Sequence, residues 1–250
     1  MQIAVFSDIH ANLPALEAVL RDADEVGVDE LWCLGDVVGY GASPDGCVEL
    51  VRERCDAVLV GNHDLAALDE LDTSTFSSAA AAAVEWTTKN SSKSTLDYLR
   101  GLEPSDPTRA AALYHASPRD PVWEYVLWPE QAAECLVVQD KRVSFVGHSH
   151  VALFFSAEEE DPDSGRPPDA RGWQAGAGTR LEIDEGRWLI NPGSVGQPRD
   201  GDPRAAWLEL DTDSWQATYH RVDYDIDRAA EAIERAGLPE HLAKRLFVGR

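Results

Sequence analysis

Short apolar runs alternate with stretches of helical spacing over the first 64 residues. Residues 2–7 read as a β-strand that ends at Asp8. After Asn12, Pro14 is placed to open a helix whose apolar face is Leu16, Val19, Leu20 and Val26 and whose stop is Gly27. Leu31-Trp32-Cys33-Leu34 is a second strand, ending on Gly35-Asp36. Ser43-Pro44 carries an N-cap and proline signal for a second helix that buries Val48, Leu50 and Val51. Ala57-Val58-Leu59-Val60 is the third strand, and it hands over to Gly61-Asn62-His63-Asp64. The order β-α-β-α-β predicts a parallel sheet with one functional edge, polar residues following every strand.

Residues 65–102 read as helical, with the Ala79–Ala83 run as a close-packed segment. Leu113-Tyr114-His115 is another strand end, residues 129–138 are helical, and Val143 to Val146 is a strand closing on Gly147-His148-Ser149-His150. Strand continues from Val151 to Ser156. Residues 157–172 lack a core-forming pattern and are expected to form an exposed, mobile connection, a hairpin insertion rather than a lid. Short strands alternate with turns from Trp173 to Tyr219, and residues 226–248 are helical. No internal repeat or linker interrupts 1–250, which is expected to be a single domain.

Composition narrows the function classes. The hydrophobic fraction of 44% supports a packed core. Forty-five acidic residues stand against 22 basic ones, for a net charge of −23. That surface argues against nucleic-acid binding, which needs a basic face, so an anionic substrate requires a local positive centre. The start of the chain lacks the basic segment of a signal peptide, and no apolar run reaches the length of a membrane span, so a cytoplasmic protein without a membrane partner is expected. Cys33, Cys47, Cys55 and Cys135 form no CxxC pair and read as reduced, mostly buried thiols.

The candidate chemistry gathers at the strand ends. Asp8 and His10 are two apart, so an extended chain would project them to one side. Asp36 and Asn62 each follow a strand and a glycine, and His115, His148 and His150 also terminate strands. Five of the seven histidines fall in such positions, which a set of independent structural histidines does not explain. His220 and His241 are left as structural.

The set Asp8-x-His10, Gly35-Asp36, Gly61-Asn62-His63-Asp64, His115 and Gly147-His148-x-His150 resembles the calcineurin-like metallophosphoesterase superfamily, in order and spacing, across about residues 1–200. Asn191-Pro192-Gly193-Ser194 resembles the segment after the last ligand in its small bacterial and archaeal phosphodiesterases. The resemblance implies an α/β fold, a four-layer sandwich of two mixed β-sheets flanked by helices, with a dinuclear metal site at the strand ends. It implies one ion held by Asp8, His10, Asp36 and His150, and a second by Asp36, Asn62, His115 and His148, with Asp36 bridging. Such mixed carboxylate and imidazole sites suit two divalent transition-metal ions, with Mn favoured and Fe, Zn, Ni or Co as alternatives.

The implied activity is hydrolysis of a small phosphate ester by in-line attack of a hydroxide bridging the two ions. His63 would act as general acid and Asp64 would fix its tautomer, although a helix N-cap explains Asp64 equally well. A phosphodiesterase is the first reading and a phosphomonoesterase or nucleotide phosphatase the alternative; a nuclease and a non-catalytic scaffold of the same fold follow. Protein phosphatases and dinucleoside tetraphosphate hydrolases of the superfamily carry Asp-Arg-Gly after the bridging aspartate. Gly39-Tyr40-Gly41 stands at the corresponding stretch, which lowers both activities. Arg199, after Gly196-Gln197-Pro198, reads as an ordinary surface arginine, with an approach to the substrate as the alternative.

Overall fold

A computed structural model describes residues 1–158 and 168–250. Strand β1 (Gln2–Phe6), helix α1 (Leu13–Val26), β2 (Glu30–Cys33), α2 (Pro44–Arg54) and β3 (Ala57–Val58) open the chain. Three helices follow: α3 (Asn62–Ala67), α4 (Ser78–Asn90) and α5 (Lys93–Leu99). Next come β4 (Ser105–Asp106), β5 (Ala112–Tyr114), α6 (Pro129–Val138), β6 (Val143–Phe145) and β7 (Ala152–Ala157). Strands β8 (Arg171–Gln174), β9 (Arg180–Glu182), β10 (Arg187–Pro192), β11 (Ala205–Asp211) and β12 (Gln216–Val222) precede α7 (Ile226–Arg235), α8 (Glu240–Lys244) and a 3-10 turn, Arg245–Phe247.

The strands form two six-stranded mixed sheets, in the orders β3-β2-β1-β11-β12-β9 and β4-β5-β6-β10-β7-β8. The β1-β2-β3 unit is parallel as the sequence predicts, and β11 extends it antiparallel on the β1 side. In the other sheet β5, β6 and β10 run parallel, with antiparallel strands on both flanks. The period-two pleat divides β1 between two cores: Ile3 and Val5 face the second sheet, while Ala4 and Phe6 face the helices. Between the sheets they meet Trp32, Leu113, Phe145 and Ile190. Helices α1 and α2 cover the outer face of the first sheet, and α6 covers that of the second. The result is the four-layer sandwich, each fully buried Leu, Ile or Phe contributing about 1.5–3 kcal/mol. Among the described residues, no helix is long and apolar enough to cross a membrane.

Local signals hold in most places. Asn12 caps α1 by accepting from the Ala15 N–H at 3.3 Å, and Gly27 ends the helix at φ +85°. Ser43 makes no side-chain cap bond; Pro44 still opens α2, and the Ser43 N–H is spent on the Ala11 carbonyl. The alanines of α4 pack against α7 and α8. Strand β3 is shorter than predicted because the Val60 N–H turns away to the Glu103 carbonyl. Most of the connection expected over 157–172 lies outside the described residues. Its described ends, Ala157 and Arg171–Gly172, belong to β7 and β8, which pair antiparallel.

Candidate metal centre

The carboxyl ends of β1, β2, β5 and β6 and the start of α3 bring Asp8, His10, Asp36, Asn62, His63, His115, His148 and His150 together, all buried. They do not converge by extended alternation, as the spacing of Asp8 and His10 suggests. Asp8, His10, Asp36, His148 and His150 all have left-handed backbones, with φ between +50° and +61°. Non-glycine residues rarely adopt that region, and clusters of such strain persist where the surroundings enforce them. The enforcement is visible. The Asp8 and His10 N–H groups donate to the Gly35 and Asp36 carbonyls, and those of Val195 and Gly196 donate to Ser7 and Asp8. Ser194 Oγ also donates to the Asp8 carbonyl at 2.8 Å, and Asn191 Nδ2 donates to the Gly147 carbonyl at 2.6 Å. The Asn191–Ser194 segment thus ties the loop after β1 to the loop after β6.

Each of four imidazoles is oriented by one backbone carbonyl. His10 Nδ1 donates to Val38 at 3.1 Å, His115 Nδ1 to Leu34 at 2.9 Å, His150 Nδ1 to Gln197 at 2.7 Å and His148 Nε2 to Trp123 at 3.2 Å. A carbonyl only accepts, so the proton sits on the bonded nitrogen and the other nitrogen offers a lone pair, the arrangement that metal-binding histidines use. His10 Nε2 and His150 Nε2 then face each other at 3.0 Å as two acceptors. His150 Nε2 lies 3.3 Å from Asp8 Oδ1, and His10 Nε2 lies 3.6 Å from Asp36 Oδ2. Both of those carboxylate oxygens are buried without a hydrogen-bond partner among the described residues. Lone pairs converging on orphaned carboxylate oxygens are satisfied by a cation, or in its absence by protons on the carboxyls, so the donor set fits a divalent metal ion.

The donors fall into two groups, Asp8-His10-Asp36-His150 and Asp36-His115-His148, with Asp36 common to both. Its Oδ2 faces His10, while Oδ1 lies 3.7 Å from His115 Nε2 and accepts the His63 N–H at 2.8 Å. Asn62 Oδ1 lies 3.2 Å from His115 Nε2, which adds the amide to the second group. Burial disfavours every charged form here. It pushes Asp8 up to about 7 against the pull of His115, with the Asp36 charge adding to the rise. Burial also raises Asp36 well above the usual carboxylate range, helped by the Asp64 charge. His10, His148 and His150 are held well below the ordinary imidazole value, again chiefly by burial, and so are neutral, ligand-ready bases.

His63 stands beside these groups without belonging to them. Its ring centroid is 4.9 Å from that of His10 and 4.4 Å from that of Tyr40, and Nδ1 has no hydrogen-bond partner among the described residues. Burial and the Arg199 charge lower its pKa to about 3. The Asp64 carboxylate does not orient it, contrary to the reading in which Asp64 fixes the tautomer. That carboxylate accepts N–H bonds from Val37 at 3.2 Å, Val38 at 2.9 Å and Gly61 at 2.9 Å. Asp64 is therefore a brace that locks the loop after β2 onto the N-terminus of α3, which fixes Asp36 between them.

The centre opens into a cleft of about 730 Å³ lined by His63, Phe76, Trp123, Tyr125, Arg199 and Arg245 among others. Arg199 is not an ordinary surface arginine: its Cζ lies 5.7 Å over the Tyr40 ring and its Nε is buried. A guanidinium thus enters the site from the loop after β10, where the sequence shows none after Asp36. The only hint in the sequence was the Gly196-Gln197-Pro198-Arg199 turn. Phe76, Trp123, Tyr125 and Arg245 lie in segments without a motif. His220 stacks on Trp207 with centroids 4.1 Å apart, and His241 is exposed on α8, so neither joins the centre.

The sequence profile of the calcineurin-like phosphoesterase superfamily domain matches residues 1–213. An uncharacterized protein of Methanocaldococcus jannaschii is 40% identical over 99% of this chain and 98% of its own length. A crystal structure of a metallophosphoesterase from Sphaerobacter thermophilus superposes with a TM-score of 0.86 at 41% identity, covering 100% of this chain and 99% of the other. A hypothetical protein from Pyrococcus horikoshii shares the fold at a TM-score of 0.76 and 19% identity, covering 100% of this chain and 98% of the other.

Proposed function

Because the chain belongs to the calcineurin-like phosphoesterase superfamily, we propose that it is a metal-dependent phosphoric ester hydrolase acting on phosphodiesters. The carrying observation is the set of four carbonyl-anchored imidazoles whose free nitrogens face two groups of donors sharing Asp36. Asp8, His10, Asp36 and His150 would hold one divalent ion, and Asp36, Asn62, His115 and His148 a second, manganese being the proposed metal. Bound there, two such ions activate water at neutral pH and neutralise the phosphoryl oxygens.

The chain's own residues supply the rest. His63, neutral in the buried site, presents an N–H to the phosphoryl group or the leaving oxygen. A phosphoryl anion arriving beside it raises its pKa, so that the ring takes up a proton from solvent and passes that proton to the ester oxygen as it departs, returning to the neutral form. Asp64 keeps Asp36 and His63 in register through the three amides it accepts from. The cleft extends past His63 along Phe76 and Trp123, which gives room for the second ester substituent of a diester.

The test is hydrolysis of bis-p-nitrophenyl phosphate beside p-nitrophenyl phosphate, on metal-stripped protein titrated with Mn²⁺, Ni²⁺, Co²⁺ and Zn²⁺. Metal-restored turnover favouring the diester is expected. A preference for the monoester would replace the diesterase reading by a phosphatase, and two bound ions without turnover on either ester would remove the enzymatic reading.

A further inference from the structure

The cleft carries positive charge that the metal donors do not use. Arg199 and Arg245 both line it, and among the described residues neither forms an ion pair with an Asp or Glu side chain. Arg199 Nη2 reaches only neutral oxygens, Gln197 Oε1 at 3.1 Å and Tyr40 Oη at 3.4 Å. Arg245, at the head of the last 3-10 turn, donates Nε to a main-chain oxygen of Arg250, the last residue of the sequence. The two guanidiniums share the lining of one cleft, and burial, then the Arg199 charge, hold the Arg245 pKa below its ordinary value. Asp72 also borders the cleft, its carboxylate kept ionised by the Ser74 hydroxyl and N–H at 2.7 and 2.9 Å, so two guanidiniums stand against one carboxylate in the lining. In a chain of net charge −23, a cleft lined by two guanidiniums against one carboxylate favours an anion.

The same cleft is also lined by aromatic rings. Phe76 packs on His63 with centroids 4.9 Å apart and meets Trp123 edge to face at 5.5 Å. Tyr125, 42% exposed, lies over His148 at 4.1 Å. These rings lead outward from the centre and are only partly buried, so they offer faces to a planar group. The metal donors account for one phosphoryl group. The arginines account for a second anion and the rings for a flat, π-bearing substituent.

We infer that Arg199 and Arg245, together with Phe76, Trp123 and Tyr125 of the same cleft, form a second subsite that takes the further phosphate and the base of a nucleotide. The inference rests on the phosphoesterase reading and names the substrate class of the same site: a nucleotide bearing two phosphates, one at the metal donors and one at the arginines.

Calorimetric titration of manganese-loaded protein with ribose 5-phosphate, AMP and α,β-methylene-ADP tests it without turnover. AMP is expected to bind about tenfold tighter than ribose 5-phosphate, from base stacking. Methylene-ADP should bind about tenfold tighter than AMP, from charge-assisted bonds to the second phosphate. Arg245→Gln and, separately, Arg199→Gln should each shrink the advantage of methylene-ADP over AMP to about twofold, with Arg245→Lys keeping part of it. Equal binding of AMP and methylene-ADP by the unmodified protein, or an advantage that survives in both glutamine variants, overturns the anion subsite. Equal binding of ribose 5-phosphate and AMP overturns the aromatic half. Those ratios are read on the unmodified protein first, so a variant that fails to fold leaves the inference open to refutation. Turnover of bis-p-nitrophenyl phosphate by the same preparation reports on the parent reading separately: its absence sinks the hydrolase, while the binding ratios still decide the subsite.

Discussion

His10 Nε2 and His150 Nε2 face each other at 3.0 Å, although each ring has already placed its proton on a carbonyl, Val38 or Gln197. Two lone pairs at that distance repel unless a cation lies between them and the nearby Asp8 and Asp36 oxygens. Removing one ring should therefore disable one half of the centre. His150→Ala is expected to lower bound manganese from two ions per chain to about one after dialysis, and His148→Ala to do the same at the other half. Asp36→Asn should weaken both, since its two oxygens face different groups. Metal analysis by plasma emission decides it, and loss of a single ion in Asp36→Asn would remove the shared-carboxylate assignment.

His63 separates chemistry from metal binding. His63→Ala is expected to reduce turnover by about 10²–10⁴-fold, the range for a general acid-base group, with both ions retained. Gly39 offers an independent approach. A Cβ at this residue, whose φ is +88°, would lie 2.6 Å from His63 Nδ1, so Gly39→Ala must push the ring aside. A displacement of about 1 Å costs on the order of 10²-fold in rate, so kcat should fall by that order at unchanged metal content. Full activity in Gly39→Ala would mean that the position of His63 does not matter.

Asp64 is assigned here as a brace, and the assignment differs measurably from a catalytic one. Asparagine in its place turns an NH₂ toward at least one of the Val37, Val38 and Gly61 amides, leaving a buried donor unpaired at about 1–3 kcal/mol. For a chain of this size that is a fall of roughly 2–4 °C in Tm per kcal/mol. Asp64→Asn should show that loss in thermal denaturation together with weaker metal retention. A variant of normal stability with a shifted pH–rate profile would instead return Asp64 to the orientation of His63.

The chemistry of the centre was legible in the sequence because each donor follows an apolar run, and a strand end fixes where its residue goes. Asp8, Asp36 and His115 are readable in that way. How they converge was not, since positive φ leaves a sequence mark only when glycine takes it, and here Asp8, His10, Asp36, His148 and His150 take it themselves. Asp64 was ambiguous because a carboxylate near a helix start serves equally well as cap or as partner to a histidine. Arg199 and Arg245 escaped for a different reason. They reach the cleft from a loop and from the last turn of the chain, and neither periodicity nor spacing encodes that meeting.

The buried charges make the metal-free protein sensitive to pH in a predictable direction. Burial raises Asp8 from the carboxylate range to about 7 and also raises Asp36 well above that range, so the folded, metal-free chain holds protons that the unfolded chain releases near pH 4. That contribution to stability is complete below the unfolded value and is lost as pH rises through the folded one. The histidines oppose it at lower pH. His10, His148 and His150 are depressed, and His63 is near 3, so below the ordinary imidazole value of about 6.5 the unfolded chain takes up protons that the folded chain refuses. Above that value only the carboxylates remain, and stability must fall with rising pH. Protein stripped with EDTA is therefore expected to have its highest Tm near pH 6, declining through pH 7 and 8. Manganese-loaded protein should lack the decline, because the bound charge favours the ionised carboxylates. A Tm of the stripped protein that climbs between pH 7 and 8 would show that Asp8 and Asp36 ionise without a metal, and would remove the electrostatic case for the centre.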